Sequence, residues 1–296
     1  MWGFARSAMV LGIVLLLTGA ARAQSGVGVE VDEVIDNRVA ADIFTGSLEL
    51  RVKLKGTGLD KATAARVLVK EARDDRGTVL TRPDADPPDF MGREYNNGMV
   101  PMSLRPPARA ATSVKVKGTV ELFVPGRDPS STVKVDKALA KLDTPLTSKA
   151  LKAAKIEITP LSAAAYTAKL KSRTLDEAEI AKLRAEGVAR GVSEKEIDLM
   201  IGLAKAMESS DAPPDANTII LSGEESDFDR IYLIEVLGAD GQPINLPQRS
   251  TSTRGTDTLM TLVASSPPPP NAALQLTVLT DKSRMSFPFE VTIELP

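Results

Sequence analysis

The chain has 296 residues, with 37 Lys and Arg against 39 Asp and Glu, and it contains neither Cys nor His. The absence of these two residue types removes the usual ligands of zinc, copper, haem and iron–sulfur clusters, and every catalytic triad built on imidazole or thiolate. A formal net charge of −2 provides no field that would attract nucleic acid. We therefore expect no cofactor and no nucleic-acid partner.

The N-terminus has the organisation of a signal peptide. Arg6 supplies a positive charge, an apolar run extends from Ala8 to Leu17, and Ala21-Arg22-Ala23 forms a cleavage pattern before Gln24. The apolar run is shorter than the roughly 20 residues that a spanning helix needs, which argues against the alternative of a membrane anchor. We expect residues 1–23 to be removed and the mature chain, with no transmembrane segment, to be periplasmic or extracellular.

Both flanks of the chain show the alternation of apolar and polar residues that predicts β-strands with one solvated face. The pattern is clearest from Ser47 to Lys55, where every second side chain is Leu or Val. Two other segments, Arg66 to Ala72 and Arg230 to Leu237, are apolar on both faces and are predicted to be central strands. Similar alternation recurs in residues 27–31, 114–124, 133–135, 156–158, 274–278 and 289–295.

A helical segment separates the two sets of strands. From Thr174 to Ser209 the apolar residues follow a helical period. Two capping boxes, Thr174 to Glu177 and Ser193 to Glu196, mark helix starts, because each pairs an N-cap hydroxyl with a carboxylate three residues later. Gly191 lies where the first helix is expected to end. These signals predict a two-helix hairpin.

The two strand-rich flanks are related by a shift of 164 residues along the chain. The shift aligns a strand, a turn and a short strand in each flank, which favours a tandem repeat of one structural unit. The alternative is that strands and turns of similar chemistry arose independently. The identical pairs are Arg66 with Arg230, Glu71 with Glu235, Gly77 with Gly241, and Pro83 with Pro247.

Short strands with one solvated face, separated by turn residues, predict antiparallel sheets stacked as a sandwich. We expect a mainly β protein with two immunoglobulin-like antiparallel β-sandwich modules, residues 24–162 and 213–296, and a two-helix hairpin inserted at residues 163–212. The pattern resembles immunoglobulin-like and fibronectin-like modules of exported bacterial proteins. The Cys pair and core Trp of true immunoglobulin domains are missing, so the resemblance implies a fold type alone. A barrel and one larger sandwich are the alternatives.

The loop from Arg82 to Gly98 carries the first candidate binding residues. Phe90, Met91 and Tyr95 lie in a polar, proline-rich surround, and loops on rigid sandwiches often carry recognition residues. The alternative is that these apolar side chains close the end of the sandwich.

The same loop holds the candidates for a metal site. Asp84, Asp86 and Asp89 could present oxygen ligands to calcium. The loop lacks the glycine and terminal Glu of an EF-hand, and its prolines favour an open loop, so we expect no bound metal. A second acidic cluster, residues 224–229, is interpreted as a solvated loop.

The hairpin provides the second candidate contact surface. Two short amphipathic helices cannot bury their apolar faces alone, so the apolar side of the second helix must pack on the protein itself or on a partner. The residues of that side are Ile197, Met200, Ile201, Ala204 and Met207.

Together these features favour an exported, non-enzymatic binding or structural module that acts through contacts with a protein or a cell-envelope component. Paired carboxylates suffice for glycoside hydrolysis, so a small envelope hydrolase that uses paired carboxylates is the first alternative. A Ser and Lys dyad is also formally possible, but no motif selects one. Against it, the chain has few aromatic residues to line a sugar cleft. A calcium-dependent adhesin is the second alternative.

Overall fold

The computed structural model describes residues 26–37, 46–82, 86–92, 99–173, 177–209 and 214–295. The predicted signal peptide, residues 1–23, lies outside these ranges. Within them, no helix is long and apolar enough to cross a membrane.

Strands and short helices follow one another along the chain. The first are β1 (Val27–Asn37), β2 (Ser47–Gly56), β3 (Ala64–Asp74), β4 (Met91–Gly92), β5 (Met99–Leu104), β6 (Ser113–Phe123), β7 (Thr132–Val135), α1 (Lys149–Ala154) and β8 (Thr159–Leu161). Three longer helices follow, α2 (Ala163–Arg173), α3 (Glu177–Ala189) and α4 (Glu194–Ser209). The last elements are β9 (Thr218–Glu224), α5 (Glu225–Phe228), β10 (Ile231–Leu237), β11 (Gln248–Arg254), β12 (Asp257–Val263), β13 (Ala273–Val278) and β14 (Arg284–Glu294).

The strands form several sheets in which neighbours run antiparallel, so the prediction of a mainly β protein with antiparallel sheets is confirmed. In β2, Leu48, Leu50 and Val52 are completely buried while Lys53 on the other face is exposed, as the alternation predicted. The strand orders are β1-β2-β5, β14-β6-β3-β4, β10-β13-β7 and β11-β12-β9-β8.

Two large clusters of buried apolar side chains form the core. The first combines β1, β2 and β5 of one sheet with β3, β6 and β14 of another. The second combines β7, β10 and β13 with β9 and β12, and also includes Leu151 of α1. In each cluster, side chains from two different sheets meet.

Three of the four sheets combine strands from residues 24–162 with strands from residues 213–296, so the sheets do not divide at the expected module boundaries. β14 pairs with β6, β7 pairs with β13, and β8 pairs with β9. Alternation in the sequence could not reveal these pairings, because it reports which face of a strand is buried and not which strand lies beside it.

The two strands predicted to be central have different places. β3 lies between β4 and β6, as expected. β10 lies at the edge of its three-stranded sheet, so for this strand the prediction is wrong. Its second apolar face has another explanation, because Tyr232 packs against Phe123 of β6, with ring centroids 5.2 Å apart. β10 therefore touches the other half of the molecule.

The turns that follow β3 and β10 have the same backbone hydrogen bonds, which supports the repeat. The Gly77 N–H donates to the Asp74 carbonyl at 3.0 Å, and the Gly241 N–H donates to the Gly238 carbonyl at 3.0 Å. The two glycines have φ of 85° and 77°, a region that favours glycine. Past each turn, residues 79 and 243 form matching isolated bridges to β3 and β10.

Asp74 adds a side-chain contribution to the first turn that Gly238 cannot make in the second. Its buried carboxylate accepts the backbone N–H groups of Arg76, Thr78 and Ala108 at 2.8–3.0 Å. Burial raises the pKa of Asp74, but these backbone hydrogen bonds outweigh that effect and hold the pKa below its ordinary value.

We expect Asp74→Asn to lower the free energy of unfolding at neutral pH, and the difference from wild type to disappear in acid. The sign follows from the lowered pKa: the stabilisation is complete above the unfolded-state pKa of about 3.9 and is lost as the pH falls through the folded-state value. Urea unfolding at a series of pH values measures it, with Asp60→Asn at an exposed position as the control. An equal loss at all pH values would contradict this assignment.

Gly118 of β6 leaves space for β14. A Cβ at this position would lie 2.7 Å from the Phe289 ring and closer still to the Leu68 carbonyl. We expect Gly118→Ala to reduce the free energy of unfolding by about 1–3 kcal/mol, because an added methyl group overpacks the site.

Gly126→Ala is the matched control, since a Cβ there would meet nothing within 4 Å. Chemical denaturation of both variants measures the difference. Similar losses in the two variants would show that the close packing of β3 and β14 around Gly118 is not the cause.

Candidate functional site

The hairpin of α3 and α4 encloses an apolar groove. The groove has a volume of about 300 Å³, and we refer to it as the hairpin groove. Ile197 and Ile201 are buried in the hairpin, whereas Met200 is 66% exposed. Ala204 and Met207 are also part of α4, but their side chains lie outside what the structure describes. The lining residues are Leu183, Glu186, Gly187, Arg190, Val192, Ile197, Met200 and Ile201.

Local features of the sequence explain the shape of the hairpin. A Cβ at Gly187 would lie 2.6 Å from Ile197 Cδ1, so the glycine allows α4 to approach α3 closely. Gly191 has φ of 78° and follows the end of α3, as predicted. The predicted capping box at α4 is present, with the Ser193 N–H donating to Glu196 Oε2 at 3.0 Å and the Glu196 N–H donating to Ser193 Oγ at 3.3 Å. The box at Thr174 lies outside the described residues.

The helices of the hairpin make their main contacts with each other. Large apolar side chains consequently remain in contact with solvent on both helices, including Leu183 and Val188 of α3 and Leu199 of α4, which is 73% exposed. The candidate residues predicted from the sequence, all on the second helix, include neither Val188 nor Leu199, because the prediction followed one apolar stripe of that helix. The apolar surface of the hairpin is therefore not covered by packing on the sheets.

α2 behaves differently and packs on the sheet β11-β12-β9-β8. Tyr166 of α2 forms a small buried cluster with Ile220 of β9 and Leu259 of β12. Lys169 Nζ donates to Ser222 Oγ at 2.6 Å and pairs with the Asp257 carboxylate at 2.8 Å. α2 is thus fixed to the sheet by apolar and polar contacts.

The contact between Lys169 and Ser222 bears on the alternative of a Ser and Lys dyad. The ammonium of Lys169 donates to two oxygens, whereas a general base in such a dyad needs a free nitrogen lone pair. Ser222 is buried between α2 and the sheet. No sequence signal identifies this pair, because its members are 53 positions apart and the chain has many Ser and Lys residues. The geometry is that of a tether between α2 and β9.

The candidate loop residue Phe90 is buried between the two halves of the molecule. It packs with Phe123 and, on the far side of Phe123, Tyr232 of β10 completes the cluster. The Arg66 guanidinium lies 4.4 Å from the centroid of the Phe90 ring. Met91 is half-buried in β4, and Tyr95 lies outside the described residues. Of the two interpretations of this loop, the position of Phe90 agrees with the one in which it closes the end of a core.

Arg66 fixes the loop through its polar partners as well. Its guanidinium is paired with the Glu121 carboxylate at 2.7 Å and donates to the Pro88 carbonyl at 3.3 Å. Arg230, which the shift of 164 residues aligns with Arg66, donates to the carbonyls of Ala154 and Lys155. Arg66 therefore attaches the loop that contains Pro88 to β3, and Arg230 attaches the C-terminal end of α1 to the start of β10.

The two predicted acidic clusters come close to each other. Burial raises the pKa of Asp229, and the charges of Asp89 and Asp86 raise it further. No group of three Asp or Glu side chains in the described ranges is arranged to hold a metal ion. Asp84, the third calcium candidate, lies outside those ranges.

No protein-family model matches the chain, and comparisons with curated proteins and with solved structures gave no match. The geometry of the chain's own residues is therefore the basis for a functional proposal.

We expect Phe90→Ala to lower the free energy of unfolding by about 3–5 kcal/mol, because it removes a buried aromatic ring between the two halves. Met91→Ala, at a half-buried neighbour, should have a smaller effect. Urea unfolding monitored by circular dichroism measures both. A change within about 0.5 kcal/mol for Phe90→Ala, as found for surface substitutions, would instead identify an exposed recognition residue.

Proposed function

We propose that the chain is an exported, non-enzymatic binding protein in which two immunoglobulin-like β-sandwiches carry a helical hairpin, and that the hairpin groove binds an amphipathic helix of a partner protein. The observation that carries the proposal is the apolar groove between α3 and α4, beside which Met200 and Leu199 stay exposed. Contiguous apolar surface on a soluble protein is a feature of interaction sites.

Two observations support the sandwich part of the proposal. Each large core cluster contains side chains from two sheets, which is how the inner faces of a sandwich meet. The turns after β3 and β10 share the same backbone hydrogen bonds and isolated bridges, which agrees with two copies of one structural unit. The missing Cys pair does not conflict with this, because the sandwich architecture occurs without it.

The chemistry of the groove favours a helix as its occupant. Two helices joined by residues 190–193 leave a third position open beside them, and a third helix placed there would bury the apolar side chains of all three. Met200 can adjust its side chain to an incoming apolar residue, as methionine does at many helix-binding surfaces. Glu186 and Arg190 also line the groove and provide one charge of each sign for orienting the partner helix.

Export is the part of the proposal that depends on the N-terminal sequence. The positive charge at Arg6, the short apolar run and the pattern before Gln24 support it. The absence of Cys is compatible with an oxidising compartment, since the clusters of packed apolar side chains provide stability without disulfides.

We expect a photoreactive side chain placed at Met200 to crosslink to a partner protein in cells that export the chain. The same side chain at Lys195, an exposed polar position of the same helix, should not crosslink to that partner. Mass spectrometry of the product measures both, and identifies whether the partner segment is an amphipathic helix. Sequencing the N-terminus of the recovered chain should give Gln24.

Leu183→Glu is the matched variant for this experiment. Leu183 lines the groove and is 45% exposed, so the charge should abolish crosslinking from position 200 without unfolding the chain. Asp86→Asn and Asp89→Asn should leave the crosslink intact, whereas a calcium-dependent adhesin would lose its partner. Crosslinking that is equal at positions 195 and 200, or that survives Leu183→Glu, would contradict the proposal.

A further inference from the structure

The last strands of the two core regions are exchanged. After β6, the chain leaves through residues 124–131 and places β7 beside β13. After β13, the chain leaves through residues 279–283 and places β14 beside β6. The two sheets have the same arrangement at this point: β14 pairs with β6, which pairs with β3, and β7 pairs with β13, which pairs with β10. β3 and β10 are the two strands that the repeat aligns. Each core is thus completed by a strand that comes, along the chain, directly after a strand of the other core: β14 after β13, and β7 after β6.

β14 is the larger of the two exchanged strands. It has 11 residues and pairs with β6 along its whole length, from Arg284 opposite Phe123 to Glu294 opposite Ser113. Ile293 is buried in the first core cluster, and Phe287, Phe289 and Val291 pack against the same cluster. The first core is therefore incomplete without this strand.

The fit between β14 and β6 is specific. Phe289 lies where Gly118 leaves room, and any side chain at position 118 would meet its ring. Lys115 pairs with Glu290 at 2.6 Å on the solvated face of the same two strands. An unrelated strand would have to match both the aromatic residue and the charge in the same register.

The two linkers cross, and a buried polar cluster joins them. The Val124 N–H donates to the Ser283 carbonyl at 2.7 Å, and Thr280 Oγ1 donates to Asp128 Oδ2 at 2.6 Å. Ser131 Oγ lies 3.3 Å from Thr280 Oγ1, and the side chains of Ser131 and Ser283 are completely buried. We call these residues the crossing. They hold the two linkers in the arrangement in which β14 pairs with β6 of the same chain.

We propose that β14 is an exchangeable strand, that the edge of β6 which pairs with β14 also accepts β14 of a second copy of this chain, and that the crossing limits this exchange. A strand from a second copy makes the same ladder and the same core contacts as the chain's own strand, so closure within one chain and exchange between two chains differ only at the linkers. A short tether gives the chain's own strand an effective concentration in the millimolar range. The monomer therefore dominates in dilute solution, and exchange grows with concentration.

The chain has no Cys, so single cysteines can report where β14 lies. Thr292 and Lys115 are direct partners on β14 and β6, and both are exposed. They form a pair without mutual hydrogen bonds, because the two pair types alternate along the ladder and Pro288, four pairs away and hence of the same type, has no N–H to give. Cα atoms in such a pair are about 4.5 Å apart, which a disulfide can bridge.

The test mixes full-length Lys115→Cys and full-length Thr292→Cys, unfolds them in urea, refolds them together and oxidises them. Neither chain can form this disulfide alone, so a covalent heterodimer reports β14 of one copy on β6 of another. We expect it to be scarce at about 10 µM and several-fold more abundant at several hundred micromolar, because the effective concentration of the tethered strand is about 1 mM. Thr280→Val in the Thr292→Cys chain should raise the yield by weakening the crossing.

Two controls make each outcome decisive. The double variant Lys115→Cys with Thr292→Cys should form the disulfide within one chain in dilute solution, and failure to do so would overturn the register on which the proposal depends. Lys134→Cys on β7, an exposed position that does not face β14, should give only background heterodimer with Thr292→Cys. The exchange would be overturned if Lys115→Cys gave no more heterodimer with Thr292→Cys than Lys134→Cys does at the highest concentration. A heterodimer yield unchanged by Thr280→Val would overturn the role of the crossing.

Discussion

The pairing of β14 with β6 is the constraint on which the rest of the molecule depends. It brings the last strand of the chain to the first core, and the mutual fit of Phe289 and Gly118 fixes its register. β7 pairs with β13 of the second core, so the linker that leads to β7 and the linker that leads to β14 must cross. The buried contact of Asp128 with Thr280 lies where they cross. Pairing of such distant segments is entropically costly to form, and the first core is complete only when β14 is paired with β6.

The aromatic contact between the halves follows from the same arrangement. With the strands exchanged, the end of β6 lies near β10, and Phe123 packs between Phe90 and Tyr232. Arg66 then stacks on Phe90 and binds Glu121. Phe90, one of the candidate recognition residues, is thereby part of the connection between the halves. This leaves the hairpin as the large apolar surface that the described contacts do not account for.

The sequence predicted local features well and long-range ones poorly, for physical reasons. Alternation identified β2 and its buried face, and Gly191 with the capping box at Ser193 identified the turn between α3 and α4, since these signals depend on neighbouring residues. Strand exchange, the edge position of β10 and the tether of Lys169 to Ser222 depend on partners far away in the chain, which periodicity does not encode. Phe90 was a candidate for recognition or closure because composition alone could not show whether another core lies beside it.

The position of the hairpin in the fold explains how it can carry a function of its own. It lies between β8 and β9, which pair directly, with Leu161 opposite Ile220, so the two ends of the whole insertion are held together by a ladder. A long insertion between paired strands costs little additional closure entropy. α2 forms the first part of the insertion and packs on the sheet through Tyr166. α3 and α4 make their main contacts with each other. The exposed apolar residues of α3 and α4 are therefore not part of either large core cluster, and this is the basis for proposing that they bind a partner.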